Sequence, residues 1–163
     1  MSRLTDPALV VLVEMSVIET TLAFLQSQGD YGHEGVVLWP GRLSGRTCRV
    51  TEALVPEQLT GPFAYRIPDD ETFRIVDWTA AHGLVIPVQV HSHPAEAYHS
   101  EADDERAFVQ HIHALSVVVP DFGDIPPSEF FDASVTYELD ETGAWYLLSP
   151  EHVRARIQVA VEN

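Results

Sequence analysis

The sequence has one cysteine, few basic residues and no long apolar run. Cys48 has no second cysteine with which to form an internal disulfide, which predicts a reducing, cytoplasmic environment. No apolar stretch reaches the roughly 18 residues that a transmembrane helix needs. Acidic residues interrupt the apolar part of the N-terminal segment and no small-residue cleavage site follows it, which argues against a signal peptide. These absences predict a soluble protein with no membrane partner.

Positive charge is scarce. The chain has 9 basic and 25 acidic residues, for a formal net charge of −16. This charge repels nucleic-acid phosphates and anionic lipids, so we expect no nucleic-acid partner. It would attract a basic peptide or a basic protein tail, but an acidic surface is also simply a soluble surface, and the charge does not choose between these two interpretations.

What is present is the composition of one ordinary globular domain. The chain has 163 residues, of which 45% are hydrophobic, and no repeat, low-complexity tract or linker divides it. This length is enough for a single hydrophobic core without disulfides or structural metals. We therefore predict one domain over residues 1–163, with one functional site.

Helices and strands are predicted to alternate along the chain. Asp6 and Pro7 are typical of a helix start and Gly29 of a helix end, which predicts a first helix over residues 6–29. The other predicted helices span residues 69–83, with Phe73, Val76 and Ala80 on one side, and residues 100–113. The predicted strands span residues 33–41, 46–56, 64–68, 84–93 and 114–123.

The C-terminal part is predicted to contain a proline-rich loop over residues 124–132 and a hairpin over residues 133–149. Residues 150–162 fit a helix or a strand, and the pattern does not decide between them. Pro87 indicates that the strand over residues 84–93 is at an edge or starts irregularly. The predicted fold is an α/β or α+β sandwich in which helices flank a mixed β-sheet.

Two histidines end the strand over residues 84–93. Side chains at i and i+2 of a strand project from the same face, so His91 and His93 point together with Gln89, while Val88 and Val90 face the core. Two imidazoles that converge in this way provide half of a zinc site. His111 and His113 have the same spacing, but at a predicted helix end their side chains would diverge.

The helix that begins at Ser100 can bring the carboxylate of Asp103 to the same metal ion. Two histidines and one carboxylate leave a fourth position open for water, as in catalytic zinc sites. An open zinc lowers the pKa of its bound water toward about 7 and so provides a nucleophile. The alternative interpretation of Ser100 and Asp103 is a helix cap and its reciprocal partner.

A general base and an oxyanion donor complete the predicted site. Glu34 is the candidate base, because it is a carboxylate at the head of a buried strand, although it is also interpretable as a surface residue. Ser100 could donate a hydrogen bond to the oxyanion of a tetrahedral intermediate. His99 is close enough in sequence to line the site.

These residues, in this order, resemble the JAMM motif of the JAB/MPN metalloproteases. His-Ser-His-Pro at residues 91–94 is followed by Ser100-x-x-Asp103, and Glu34 lies on an upstream strand after an N-terminal helix. The resemblance covers nearly the whole chain. It implies a single-domain, cytidine-deaminase-like α/β sandwich with one zinc ion per chain. It also implies that the two histidines and Asp103 bind the zinc, that Glu34 is the general acid/base and that Ser100 stabilises the oxyanion.

The chain departs from the family pattern in two places. Only six residues separate the second histidine from Ser100, where the family has seven. If the loop is shortened, Asp103 is the third ligand, and if the distance from the histidine is what matters, Asp104 takes its place. We favour Asp103, because a rigid helix fixes its relation to Ser100. The glutamate of the family is often followed by two residues and then glycine, whereas Gly35 follows Glu34 directly.

The resemblance implies hydrolysis of an isopeptide or peptide bond after the C-terminal tail of a ubiquitin-like protein. Single-domain chains of this kind resemble the prokaryotic JAB branch, found with ubiquitin-like modifiers, including in bacterial antiviral operons, or with sulfur-carrier proteins. The tail would lie as an added strand, with residues 120–132 as a contacting loop. A non-catalytic MPN-like scaffold is the alternative, and a nucleobase deaminase is excluded because it needs Cys-x-x-Cys. Deconjugation, precursor processing and the oligomeric state are left open.

Overall fold

The structure is a computed structural model that describes residues 3–161. Its helices are α1 (Met15–Gly29), α2 (Asp69–His82), α3 (Glu101–Arg106), α4 (Phe130–Ala133) and α5 (Pro150–Arg156). Its strands are β1 (Val10–Val13), β2 (Val36–Ser44), β3 (Thr47–Val50), β4 (Leu59–Thr60), β5 (Tyr65–Arg66), β6 (Val85–Ser92), β7 (Leu115–Val119), β8 (Val135–Leu139), β9 (Trp145–Leu147) and β10 (Ile157–Val159).

A mixed sheet of eight of these strands organises the described residues. The strand order is β10-β1-β3-β2-β6-β7-β8-β9, and β4 and β5 form a separate small hairpin. Strand β1 is parallel to both β10 and β3, and β6 is parallel to β7, whereas the other pairs are antiparallel. The predicted α/β fold with a mixed sheet flanked by helices is confirmed.

The two faces of the sheet carry two different cores. One face packs Val37, Trp39 and Val88 against α1 together with parts of α4 and α5. The other face packs Val36 and Leu38 against Ile75 of α2 and against the β5 hairpin. This alternation follows from the period of two in strands β2 and β6. Because His91 lies opposite Val36 in the ladder, it belongs to the second face.

The predicted first helix over residues 6–29 is wrong in its first half. Residues 10–13 form strand β1, which is paired on both sides, with β3 and with β10. Three of these four residues are valines, whose β-branched side chains favour an extended backbone. Asp6 closes a turn by accepting a hydrogen bond from the Ala8 amide, and α1 begins only at Met15.

Helix α2 was predicted with the correct end but with the wrong buried side. It stops at Gly83, which has a φ of 65° and so needs a residue without a Cβ. Phe73, Val76 and Ala80 do share a side, but that side is exposed to solvent. Glu71 is buried instead, because its carboxylate accepts the Glu57 amide and pairs with a neighbouring arginine.

Pro87 predicts either an edge strand or an irregular strand start, and the structure shows an irregular start. Strand β6 is central, between β2 and β7. Its pairing with β2 shifts register between Trp39 and Gly41, close to Pro87. Proline has no amide to donate, and because the ladder is already irregular at this point, no regular hydrogen bond is lost. Strand β2 also continues through Pro40 and Gly41, where we had predicted its end.

Three further boundaries differ from the prediction. The third helix stops at Arg106, so His111 and His113 lie in a turn and not at a helix end. The predicted loop over residues 124–132 contains a 3-10 turn and the start of α4. The undecided C-terminal segment is both a helix and a strand, α5 and then β10, and residue 162 lies outside the described residues. No helix among the described residues is long and apolar enough to span a bilayer.

Candidate metal centre

Strand β6 brings the two histidines to the end of the sheet. His91 is the penultimate residue of the strand and is fully buried, and His93 follows directly after it and is almost fully buried. Their ring centroids lie 5.4 Å apart, so the two rings converge as the i, i+2 spacing predicts. The His93 amide donates to the carbonyl of Val119 in the neighbouring strand, which fixes the backbone at this point.

Helix α3 brings Asp103 to these histidines. Asp103 Oδ2 lies 3.2 Å from His91 Nε2 and 3.1 Å from His93 Nε2. Ser100 and Asp103 also form a capping box, because the Asp103 amide donates to Ser100 Oγ and the Ser100 amide donates to Asp103 Oδ2. The cap therefore orients the carboxylate toward the two imidazoles. Both interpretations of this pair, as a cap and as part of the site, are compatible with the geometry.

The structure places Asp103, and not Asp104, beside the two histidines. Asp104 pairs instead with Nδ1 of His99, whose ring faces that of His91 at a centroid distance of 5.6 Å. The six-residue connection therefore absorbs the missing residue in the loop, as we had favoured. His99 lines the site, as its position in the sequence suggested.

Glu34 lies at the head of β2, opposite the end of β6. The Gly35 carbonyl accepts the Ser92 amide, and Val36 pairs with His91, so the ladder directs Glu34 toward His93. The Glu34 side chain is buried, and burial raises its pKa to about 7, although the nearby His93 acts in the opposite direction. A carboxylate with a pKa near neutrality can both accept and donate a proton at physiological pH.

The three grouped side chains fit a tetrahedral metal ion. Their candidate donor atoms all lie within 4.8 Å of one another. Tetrahedral zinc with ligands at about 2.0–2.1 Å needs donor atoms about 3.3 Å apart. The separations of 3.1 and 3.2 Å from Asp103 to the two histidine nitrogens are close to this value.

The protonation states also suit a metal ion. Nδ1 of the buried His91 has no hydrogen-bond partner among the described residues, and the contact of its Nε2 is the Asp103 carboxylate, 3.2 Å away. Burial lowers the pKa of His91, which favours the neutral, ligating form. Burial alone would raise the pKa of Asp103, but its contacts with the two histidines outweigh this effect and lower it, which favours the carboxylate. This grouping is the one set of potential metal ligands found among the described residues.

Several residues around the centre were not anticipated from the sequence. The ring of Tyr65 lies 5.5 Å from that of His91, and its buried hydroxyl has no partner among the described residues. Tyr98 packs edge-on against His93 at 4.5 Å while remaining half exposed. Tyr65 belongs to a two-residue strand and Tyr98 to a loop. No periodic pattern in the sequence marks either residue.

A hydrogen-bonded chain links Gln89 to His99, beside the metal centre. Gln89, which shares the face of His91, donates to Ser116 Oγ at 3.0 Å, and its carbonyl oxygen accepts the Phe108 amide. Ser116 Oγ also lies 3.2 Å from His99 Nε2. The i, i+2 spacing of Gln89 and His91 indicated from the sequence that Gln89 shares the face of the metal centre. The partners Ser116 and Phe108 were not predictable without the sheet register.

Comparisons with known proteins agree with this geometry. A family model described as prokaryotic homologs of the JAB domain matches residues 24–134, which include all five candidate site residues. The chain is 35% identical over 151 residues to a protein of Sinorhizobium fredii named probable metalloprotease y4jG, covering 89% of this chain and 90% of that protein. The solution structure of protein DSY2949 from Desulfitobacterium hafniense has the same fold. Its TM-score is 0.68 at 17% identity, over 94% of each chain. This chain therefore belongs to the prokaryotic JAB family.

Proposed function

We propose that this protein is a zinc-dependent peptidase or isopeptidase that cleaves the bond after the C-terminal tail of a ubiquitin-like protein. The observation that carries the proposal is the buried group of His91, His93 and Asp103 with Glu34 beside it. Membership of the prokaryotic JAB family and the similarity to a probable metalloprotease support hydrolysis of a peptide-type bond. The proposal places the enzyme in the cytoplasm, where the buried thiol of Cys48 stays reduced.

Three side chains hold the metal ion in this proposal. His91 and His93 donate ring nitrogens and Asp103 a carboxylate oxygen, and the hydrogen bond from the Ser100 amide holds this carboxylate in orientation. When bound, the zinc acidifies a water molecule and polarises the scissile carbonyl. With three protein ligands, one coordination position remains for this chemistry.

Glu34 moves the proton. Its carboxylate Oε accepts a proton from the attacking water and then donates it to the leaving amine, for which a pKa of about 7 is well matched. General acid–base catalysis of this kind contributes a rate factor of about 10² to 10⁴.

Ser100 stabilises the oxyanion that forms on the scissile carbonyl. Its Oγ accepts the Asp103 amide, and a hydroxyl that accepts in this way retains its own proton as a donor. The serine is half-buried at the mouth of the site, where a substrate carbonyl can reach it. One donor of this type is worth a factor of about 10² to 10³ in rate.

The acidic surface and the loop after β7 support a protein tail as the substrate. The chain carries a net charge of −16, which attracts a basic tail. Residues 120–132, the predicted contact loop, begin beside the site, because the Phe122 amide donates to the His93 carbonyl and the Asp121 amide to the Ala95 carbonyl. An extended tail that runs past His93 would meet this loop.

The test is cleavage of ubiquitin-like fusions that carry peptide or isopeptide linkages, with zinc content measured on every sample. Wild type should cleave after the ubiquitin-like tail. Glu34→Gln should lose at least a hundredfold in kcat while it keeps about one zinc per chain. The exposed Glu52→Gln is the matched control and should behave as wild type.

Two results would contradict the proposal. Zinc-free wild-type protein that cannot be reconstituted would favour a non-catalytic scaffold. Full zinc content with equal cleavage by wild type and Glu34→Gln would remove Glu34 from the mechanism.

A further inference from the structure

A cavity of about 640 Å³ lies between β5 and the end of α3, and none of the five candidate site residues lines it. Arg66 comes from β5 and Arg106 is the last residue of α3, and both line this cavity. Asp69, Ile67 and Phe108 also contribute to its wall. This volume is in the range of sites that bind small molecules or peptide side chains.

The two arginines of this cavity stand out because the chain has so few cations. All nine basic residues are arginines. Four of them form ion pairs with acidic side chains: Arg46, Arg49, Arg74 and Arg156. Arg66 and Arg106 have no carboxylate within 4 Å among the side chains that the structure describes, and both are exposed. The cavity therefore concentrates two guanidinium groups that have no ion-pair partner among the described side chains, with Asp69 as a carboxylate in the same wall.

The cavity adjoins the candidate metal centre on two sides. Arg106 follows Asp103 by one helical turn, so the two side chains are neighbours on the surface of α3. Arg66 directly follows Tyr65, whose ring lies 5.5 Å from that of His91. Alternate strand residues face opposite ways, so Tyr65 turns toward the histidines while Arg66 turns away from them into the cavity. Tyr65 thus lies between the histidines of the metal centre and Arg66.

We propose that this cavity is a subsite for an acidic side chain of the protein substrate, a few residues from the scissile bond. An extended chain advances about 3.3 Å per residue, so a side chain two or three residues from the bond reaches past Tyr65. The guanidinium groups can hold a carboxylate with paired N–H donors, and Ile67 and Phe108 can cover its methylene stem.

The charge of the cavity favours a carboxylate over a phosphate. The two arginines and Asp69 together carry one net positive charge, which one carboxylate neutralises. A phosphate with nearly two negative charges would leave the cavity negative, on a chain that is already strongly acidic. The assignment of the carboxylate to the substrate rests on the proposed function, whereas the anion-binding property does not.

The binding test uses glutarate as the probe. Glutarate is titrated into ¹⁵N-labelled protein while the arginine side-chain N–H signals are recorded. Saturable shifts of the Arg66 and Arg106 signals are expected, with affinity reduced at least tenfold in Arg66→Gln and in Arg106→Gln. Arg154→Gln changes an exposed arginine of a different cavity and should leave the affinity unchanged. Butyrate, which carries one carboxylate and one negative charge, should bind more tightly than inorganic phosphate. Absence of saturable shifts, or equal shifts in all variants, would overturn the subsite.

The cleavage test uses fusions in which Glu or Gln is placed in turn at each of three positions on both sides of the scissile bond. At one position Glu should raise kcat/KM about tenfold over Gln, mainly through KM, and Arg66→Gln should remove this preference without slowing the Gln fusions. Glutarate binding with cleavage that shows no Glu preference would refute the substrate assignment. Glutarate binding with no cleavage of any fusion would refute the proposed function and leave an anion site. Cleavage of the fusions without glutarate binding would refute the anion site and leave the proposed function intact.

Discussion

Two clusters of buried polar side chains lie at opposite ends of the same sheet, and they differ in how their polar atoms are satisfied. The metal-centre cluster lies where β6 ends, at His91 and His93. The second cluster surrounds Glu138, which pairs with Leu115 at the start of β7. His91, His93 and Glu138 are all almost fully buried.

Donors surround the Glu138 carboxylate. It receives hydrogen bonds from Arg156 and from the hydroxyl of Tyr146, and it lies 3.0 Å from His113 Nδ1. Arg156 also donates to the carbonyls of Leu9 and His113. This cluster therefore fastens α5 to the chain segments before β1 and β7. At the metal centre, in contrast, Nδ1 of His91 and the hydroxyl of Tyr65 lack partners among the described residues.

The difference separates a structural cluster from a functional one. A buried polar atom without a partner costs about 1–3 kcal/mol, and several such atoms that converge on one point indicate a place where another group binds. Such a cost is absent at Glu138. By this criterion the metal-centre cluster is arranged to bind a further group, and the Glu138 cluster holds the fold together.

Asp103→Asn should abolish zinc binding and cleavage. An amide is a poor zinc ligand and carries no charge to balance the ion, so we expect less than a tenth of a zinc per chain and no measurable turnover. Asp104→Asn is the matched control, because Asp104 pairs with His99 and not with the two histidines. Zinc content and cleavage rate are measured for both. Loss of zinc in Asp104→Asn with retention in Asp103→Asn would reverse the ligand assignment.

Arg156→Met should destabilise the fold by about 3–5 kcal/mol without removing zinc from the folded protein. The substitution leaves the buried Glu138 carboxylate without its main counter-charge. Urea unfolding of the metal-loaded protein measures the change. The double variant Arg156→Met with Glu138→Leu should recover much of the loss, because no unpaired charge remains. A single variant as stable as wild type would show that this cluster does not hold the fold.

Glu34→Gln should stabilise the metal-free protein at pH 8.5 by about 3 kcal/mol and have little effect near pH 4.5. Burial raises the pKa of Glu34 from 4.5 to about 7. The folded state therefore disfavours the ionised carboxylate, and wild-type stability falls as the pH rises from about 4.5 through 7. Glutamine carries no charge and avoids this loss. Thermal unfolding after chelation, at both pH values, gives the comparison. A variant less stable than wild type at pH 8.5 would mean that Glu34 holds the fold.

Ser100→Ala should cost about 1 kcal/mol of stability through loss of the N-cap of α3. It should also lower kcat by about 10² if the hydroxyl stabilises the oxyanion. Ser100→Asp separates the two roles, because aspartate caps a helix but has no proton to donate. We expect Ser100→Asp to recover the free energy of unfolding that Ser100→Ala loses, but not its kcat. Restored activity in Ser100→Asp would assign Ser100 to capping alone.

The sequence was informative where a short spacing determines the geometry. The i, i+2 histidines and the Ser-x-x-Asp cap each depend on one element of secondary structure, and both appear in the structure as expected. The prediction was wrong where the tertiary partner decides. The pattern of residues 10–13 fits a helix, and only the flanking strands β3 and β10 make the segment a strand. Phe73 was predicted on the buried side of α2, but Glu71 is buried and Phe73 is exposed. The cavity of Arg66 and Arg106 joins segments 40 residues apart, so no local pattern could show it.

The most direct test of the central claim is anomalous diffraction from crystals of the zinc-loaded protein, measured on both sides of the zinc absorption edge. We predict one anomalous peak per chain, about 2.0–2.2 Å from His91 Nε2, His93 Nε2 and a carboxylate oxygen of Asp103. A peak at another group of side chains, or zinc-soaked crystals with none at this one, would contradict the claim that the unsatisfied cluster is a metal centre.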